Sequence, residues 1–352
     1  MKVALVHDYL SEFGGAERVL LALSEIWPSA PIFTAFFRKG SAAWERFKER
    51  EIITSWVQNV PLFKEKLYSP LRFLAPQIWG SLAKKLKDYD VVITSSSWYI
   101  TKGLHKNEIC YCHTPPRWLY GYATATNWQQ NKLIKTYGLV VGHFMRHYDF
   151  LQAQKVKQFV ANSQETKRRI SKFYRRDSVV IYPPVELPKA LKTKKQNYYL
   201  IVSRLVGSKG IEMGIEAAKK LNIKLKIVGE GPLKIQPQKN IEVLGQVSDD
   251  ELVKLYSEAK GFLALAKDED FGITPVEAMG CGTGVIGYKG GGYLESVIEG
   301  KTGVLFEDYS VESLMGAIKK FDDLNLQTKD CIEQAKKFSK ERFKREIKSM
   351  LE

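Results

Sequence analysis

Short apolar runs of strand character alternate with helix-like stretches along this chain, and the alternation occurs in two series. The first has strand-like runs at Val3–Val6, Ile32–Ala35, Val91–Ser95, Ile109–Cys112, Gln158–Ala161 and Val179–Tyr182, with helical patterns such as Ala16–Ile26 and Gln164–Lys172 between them. The second runs through Tyr199–Ser203, Leu225–Val228, Ile241–Leu244, Phe262–Ala266, Val285–Tyr288 and Val304–Phe306. Strands that read as apolar on both faces and are separated by helices belong in parallel sheets covered on both sides. Residues 183–197, with three prolines and four lysines, interrupt the alternation and read as a linker. The chain is therefore expected to be α/β, with two doubly wound parallel-sheet domains at 1–188 and 189–335 facing a central cleft. Residues 336–352 read as a charged helix that packs back on the first domain. In such sheets ligands bind beyond the carboxyl ends of the strands, so the strand-end loops carry the chemistry.

At 352 residues, two domains fit comfortably. No apolar run reaches the roughly 20 residues that span a bilayer. The N-terminus opens on a strand and lacks the regions of a signal peptide, so a cytoplasmic protein is expected. The four cysteines have no metal-ligand spacing and read as buried free thiols. Net charge is +15 and lies mostly in the first half: residues 1–190 hold 28 Lys and Arg against 15 Asp and Glu, the remainder 26 against 24. A basic first domain suits an anionic partner, whether nucleic acid, lipid headgroups or a diphosphate-linked substrate. Leu62 to Lys87 sets leucines at helical spacing among six Lys and Arg. It reads either as core-facing helices or as a face for an anionic membrane, and the charge favours the membrane.

The richest strand end is Lys267–Glu277, where Glu269 and Glu277 flank a Phe271-Gly272 turn that opens a helix at Ile273. A strand, a glycine turn and a helix start present free N–H groups to an anion, and the carboxylates suit hydroxyls. Together they suit a sugar nucleotide. Arg204 and Lys209, just past Tyr199–Ser203, offer a fork and a point charge to a diphosphate. Gly14 and Gly15 open a helix after the first strand, and Gly290–Gly292 forms a second glycine turn; either lets backbone approach a phosphate, and either can be an ordinary turn. Gly229-Glu230-Gly231 is a weak dinucleotide signal. Ser248 caps a helix, and Asp249 beside it can accept the N–H donors of a guanine. His113, between Cys112 and two prolines with Trp118, Tyr120, Tyr122 and Trp128 downstream, is a candidate hydrogen-bond partner or proton handler.

Together these residues resemble glycosyltransferase family 4, retaining sugar-nucleotide transferases of GT-B fold with two Rossmann-like domains. Glu269 to Glu277 matches the family's Glu-x7-Glu motif, with Asp270 where glycine is common. Arg204 and Lys209 match its diphosphate cations, Gly14-Gly15 and Gly290-Gly291 its glycine loops, and His113 the histidine that contacts the transferred sugar. The combination with His7-Asp8 and Cys112-His113-Thr114-Pro115 is similar to bacterial mannosyltransferases of lipid-linked O-antigen or exopolysaccharide synthesis. The resemblance implies Glu269 and His113 as catalytic. It implies Gly14, Gly15, Arg204, Lys209, Asp249, Phe271, Gly272, Ile273 and Glu277 as donor-binding, with Glu277 on the ribose. It implies GDP-mannose as donor, a polyprenyl-diphosphate-linked glycan as acceptor, no metal or other cofactor, and a place on the inner face of the plasma membrane. A UDP-sugar donor is the alternative. Asp268-Glu269-Asp270 also spells the D-x-D of manganese-dependent transferases. A basic nucleic-acid-binding protein is the alternative of another class, but no zinc, RRM or KH signature accompanies the charge, so nucleic acid is not the expected partner.

Overall fold

The computed structural model describes residues 1–124, 129, 131–187, 193–236 and 238–351. The chain divides into two compact units. One comprises Met1–Tyr122, Asn127–Pro184 and Phe343–Glu352; the other comprises Ala123–Thr126 and Val185–Arg342. The expected boundary at 188 and Trp128 lie outside the described residues. The expected boundary at 335 differs from the division, which follows Arg342.

The first unit is built on a seven-stranded parallel sheet: β1 (Val3–His7), β2 (Ile32–Thr34), β3 (Ile52–Thr54), β4 (Val91–Ser96), β5 (Glu108–Cys112), β6 (Gln158–Ala161) and β7 (Ser178–Val180), ordered β3-β2-β1-β4-β5-β6-β7. Every residue of β1 is buried. Its side chains alternate between two cores: Val3 and Leu5 join one, Ala4 and Val6 the other. This two-residue period, with helices over both faces, explains why the strand reads as continuously apolar. Cys110 and Cys112 share one face with Phe159 and Ala161, and all four cysteines are buried and outside any disulfide. The last helix, Lys340–Ser349, places Phe343 and Ile347 in the core that holds Val3 and Leu5. The Phe343 ring sits 5.7 Å from that of Tyr111.

The second unit carries six parallel strands: β8 (Tyr199–Val202), β9 (Leu225–Val228), β10 (Ile241–Gly245), β11 (Gly261–Ala264), β12 (Val285–Tyr288) and β13 (Gly303–Phe306), ordered β10-β9-β8-β11-β12-β13. Near the end of this unit, Val185 bridges Ser339, with Val185 N–H on Phe338 O and Lys340 N–H on Val185 O.

Two expectations need correction. The strand β3 was not anticipated: it is a three-residue, half-buried edge, too short to announce itself. The leucines at helical spacing between Leu67 and Leu82 face the protein interior rather than a bilayer. In the stretch Leu62 to Lys87, the apolar side chains Phe63, Ile78, Trp79, Leu82 and Leu86 are fully buried beneath β1 and β4, with Leu67, Leu71 and Leu74 packed against them. The Trp79 indole N–H donates to Tyr99 O at 2.8 Å. The stretch folds as short pieces, Phe63–Leu67, Arg72–Leu74, Ala75–Ala83 and Lys84–Leu86, because Pro70 and Pro76 cannot continue a helix.

Candidate functional site

In each sheet the winding direction reverses once, between β1 and β4 in the first and between β8 and β11 in the second. All strands are parallel, so their carboxyl ends share one edge of each sheet, and a crevice opens where adjacent loops diverge. Gly14 and Gly15 follow β1, Arg204 and Lys209 follow β8, and Glu269 follows β11, all strands at these reversals; His113 follows β5, and Asp249 follows the edge strand β10.

In the first unit, β1 ends at His7 and Asp8, β4 at Ser95–Ser96 and β5 just before His113. His113 Nε2 lies 2.8 Å from Ser95 Oγ, and Ser95 Oγ lies 3.0 Å from His7 Nδ1. His7 Nε2 lies 3.4 Å from Glu17 Oε1, and the second carboxylate oxygen of Glu17 accepts the Gly14 N–H at 2.8 Å. A buried chain Glu17–His7–Ser95–His113 thus ties the glycine loop to the histidine. Burial, aided by the nearby His7, pushes the His113 pKa down to about 3, so its imidazole is neutral near pH 7. Burial pushes the Glu17 carboxyl up, but the hydrogen bond and charge of His7 and the Gly14 amide outweigh it, and the group ionises more easily than usual. The Ser95 hydroxyl, with one proton to give, links the two imidazoles. The backbone of His113 is fixed too: its N–H donates to Ser96 O, and its carbonyl accepts from the Thr166 hydroxyl.

Asp8 is buried and clamps the loop after β4. One carboxylate oxygen accepts the N–H groups of Ser97, Trp98 and Tyr99 at 3.0–3.3 Å, and the other accepts the Thr101 hydroxyl. Gly14 and Gly15 sit exposed at the start of the helix Gly15–Ile26. The Gly14 N–H is engaged by Glu17, so an anion at this helix start meets Gly15 and the following amides instead.

In the second unit, Lys209 closes a short turn after β8, and Glu269 follows β11. Their side chains meet in a half-buried ion pair, Nζ to Oε2 at 2.7 Å. Residues 60 positions apart are thereby joined at the sheet's reversal. Arg204 lies on the same strand-end loop as Lys209 and is exposed.

The glycine triplet shapes this site by backbone approach. A Cβ on Gly291, at φ +55°, would strike the Glu269 carbonyl oxygen, and one on Gly292 would strike the Phe271 backbone. The Gly292 N–H donates to Glu269 O at 3.0 Å. Gly272, at φ +85°, turns the chain into the helix Ile273–Gly280. The Phe271 side chain is buried 5.3 Å from the Phe338 ring, so what it can offer a ligand is backbone.

Glu277 is buried and accepts the Tyr256 hydroxyl at 3.0 Å. Tyr256 lies on the helix Asp249–Glu258, whose first residue is the exposed Asp249 and whose cap is Ser248. Among the described residues no group of three His, Cys, Asp or Glu is placed to hold a metal. Asp268 accepts the Ala123 N–H at 3.3 Å.

Sequence reasoning missed Ser95 and Glu17, gave Asp8 no role beyond the His7-Asp8 motif, and read Gly229 and Gly231 only as a weak dinucleotide signal. Those glycines let their loop lie against the Ser203–Leu205 backbone that carries Arg204. The available signal was polar residues where a buried strand should be apolar: Thr94, Ser95 and Ser96 follow Val91–Ile93 directly.

Comparison with known proteins agrees with this architecture. Residues 13–189 match the family model "Glycosyltransferase Family 4", and residues 184–338 match "Glycosyl transferases group 1". An uncharacterised glycosyltransferase of Methanocaldococcus jannaschii is 27% identical over 209 residues, 57% of this chain and 59% of that protein. The alpha-1,3/1,6-mannosyltransferase ALG2 of Candida glabrata is 25% identical over 370 residues, 85% of this chain and 78% of its own length. The match thus spans about three fifths of the first of these relatives. Among solved structures, the lipopolysaccharide outer core galactosyltransferase WaaB superposes with a TM-score of 0.69 at 17% identity, covering 100% of this chain and 99% of that one. Anabaena HepE in complex with UDP-glucose superposes with a TM-score of 0.74 at 16% identity and the same coverage. At such identities the structures establish the fold, which is the GT-B arrangement of two parallel-sheet domains. The model matched over half of the sequence establishes the family: the chain belongs to glycosyltransferase family 4.

Proposed function

We propose that this chain is a retaining glycosyltransferase that moves mannose from GDP-mannose to a lipid-linked glycan acceptor in polysaccharide or O-antigen synthesis, without a metal. The observation that carries the reading is the Lys209–Glu269 pair at the reversal of the second sheet. A diphosphate arriving there becomes the new counterion of Lys209 and releases Glu269 to the sugar hydroxyls. Lys209 and Arg204, with the amides of the Gly272 turn and of the helix starting at Ile273, then stabilise charge that builds on the leaving diphosphate, the usual largest contribution in such chemistry. These cations take the part that a metal plays elsewhere. Glu277 holds the ribose. His113, neutral and oriented through Ser95, hydrogen-bonds the sugar.

The mannose assignment rests on the resemblance to mannosyltransferases, including the Candida relative, and on Asp249 as guanine acceptor. The structural neighbour solved with UDP-glucose supports the second reading, a UDP-sugar donor for glucose, galactose or N-acetylglucosamine. A thermal-shift panel of GDP-, UDP- and ADP-sugars decides between them. GDP-mannose is expected to raise the melting temperature most, and stabilisation by UDP-glucose alone overturns the donor assignment. The anomeric configuration of the product, read by NMR, tests retention, and undiminished turnover in EDTA tests metal independence. The acceptor places the enzyme at an anionic membrane surface, on the cytoplasmic face. No described helix is long and apolar enough to cross a membrane, so the attachment we propose is peripheral.

A further inference from the structure

The helix Lys132–Lys155 is the longest among the described residues and reverses the usual logic of an amphipathic helix. Gly142, Met145, Asp149 and Ala153 form its buried face. At about 100° per residue, Leu133, Tyr137, Val140, Phe144 and Leu151 fall within an arc of about 60° on the opposite side. That opposite side faces solvent: Leu133 is 83% exposed, Phe144 69% and Val140 55%. Five large apolar side chains in one exposed line are costly in water unless something covers them.

The charge on this helix identifies the cover. Its one acidic residue, Asp149, is buried and paired with Lys102. The charges it shows to solvent are Lys132, Lys135 and Lys155. The Tyr137 hydroxyl donates to Pro70 O, which joins the helix to the segment carrying Lys64, the exposed Glu65 and Lys66, and the exposed Leu62 and Phe73. An apolar stripe with Lys155 at its edge and Lys132 in its first turn, on a helix that exposes no carboxylate, fits the headgroup region of a negatively charged bilayer. There the rings and aliphatic chains enter the acyl boundary, and the lysines stay with the phosphates.

We infer that the exposed stripe Leu133–Tyr137–Val140–Phe144–Leu151 docks this protein on an anionic lipid surface. The inference deepens the reading of a lipid-linked acceptor and rests on it for its purpose, but vesicle binding tests it without any transfer. Full-length protein is expected to co-sediment with phosphatidylcholine vesicles containing phosphatidylglycerol, and weakly with phosphatidylcholine alone. The double variant Val140→Glu/Phe144→Glu is expected to lose about tenfold or more of that affinity. Lys132→Glu/Lys155→Glu should lose the dependence on phosphatidylglycerol. Both variants should keep the wild-type melting temperature and donor-induced thermal shift, because these side chains face solvent.

Wild-type protein that ignores anionic vesicles, or a Val140→Glu/Phe144→Glu variant that binds them as wild type does, overturns the inference. So does a wild-type dimer that this variant converts to monomer, because the stripe is then covered by a second copy. Vesicle binding without any response to nucleotide sugars leaves the inference standing and defeats the functional reading instead.

Discussion

His113 shares its Nε2 with the Ser95 hydroxyl, and through it with His7 and Glu17. Replacing Ser95 with Ala removes this orientation while leaving the histidine in place. We expect kcat to fall by about 10- to 100-fold with KM for the donor little changed, and the pH profile to shift. A unchanged profile and rate reduce Ser95 to packing. His113 also leaves a mark on stability. Its pKa of about 3 in the fold lies below the roughly 6.5 of an unfolded histidine, so the unfolded chain takes up the proton first as pH falls. Stability present near neutrality is therefore lost downward from about pH 6.5 toward 3, by up to about 1.4 kcal/mol per pH unit. In acid melts the variant His113→Asn should lose this dependence, and an equal slope in both proteins refutes the assignment. In the second unit, Glu269→Ala should abolish transfer with the melting temperature near wild type. Gly291→Ala should weaken donor binding by displacing the Glu269 backbone, and should cost about 1–3 kcal/mol of stability as well. The two carboxylates and Lys209 were legible because charged residues at strand ends stand out. Ser95 was not, because a serine at the end of a strand is ordinary until its neighbours in space are known.

At the level of elements, β1, β4, β5 and β6 and the strands of the second unit were readable within a residue or two, since strands buried on both faces leave an uninterrupted apolar run. The two helical regions of the first unit were not. Apolar residues at helical spacing among lysines describe equally a helix pressed on a sheet and one lying on a bilayer. At Leu62–Lys87 the packing against Val92 and Tyr99 decides for the sheet. In Lys132–Lys155 the apolar positions are spread over several faces, so no single stripe stands out in the sequence, and only burial shows which face is left over. This long helix is held by an ion pair inside the protein: Lys102 Nζ binds one oxygen of Asp149, and the Tyr120 hydroxyl donates to the other at 2.7 Å. Lys102→Met should cost about 3–5 kcal/mol by leaving a buried carboxylate without its counterion. The double variant Lys102→Met/Asp149→Leu should recover much of that in urea melts; equal losses in single and double variants contradict this account.

The whole molecule is two sheets of related winding, each reversing once, and the chain passes between its two units more than once. Its final segment belongs to the first unit, where Phe343 is fully buried. Phe343→Ala should destabilise by about 3–5 kcal/mol. With two calorimetric transitions, the loss should appear in that of the first unit and spare the one stabilised by nucleotide sugar. A shift confined to the nucleotide-responsive transition contradicts the division. The same placement of Phe343 and Ile347 sets an order of events at the ribosome. The sheet of the first unit is translated early but lacks part of its interior until Phe343 and Ile347 are made, so the unit translated between has the first opportunity to reach its finished form.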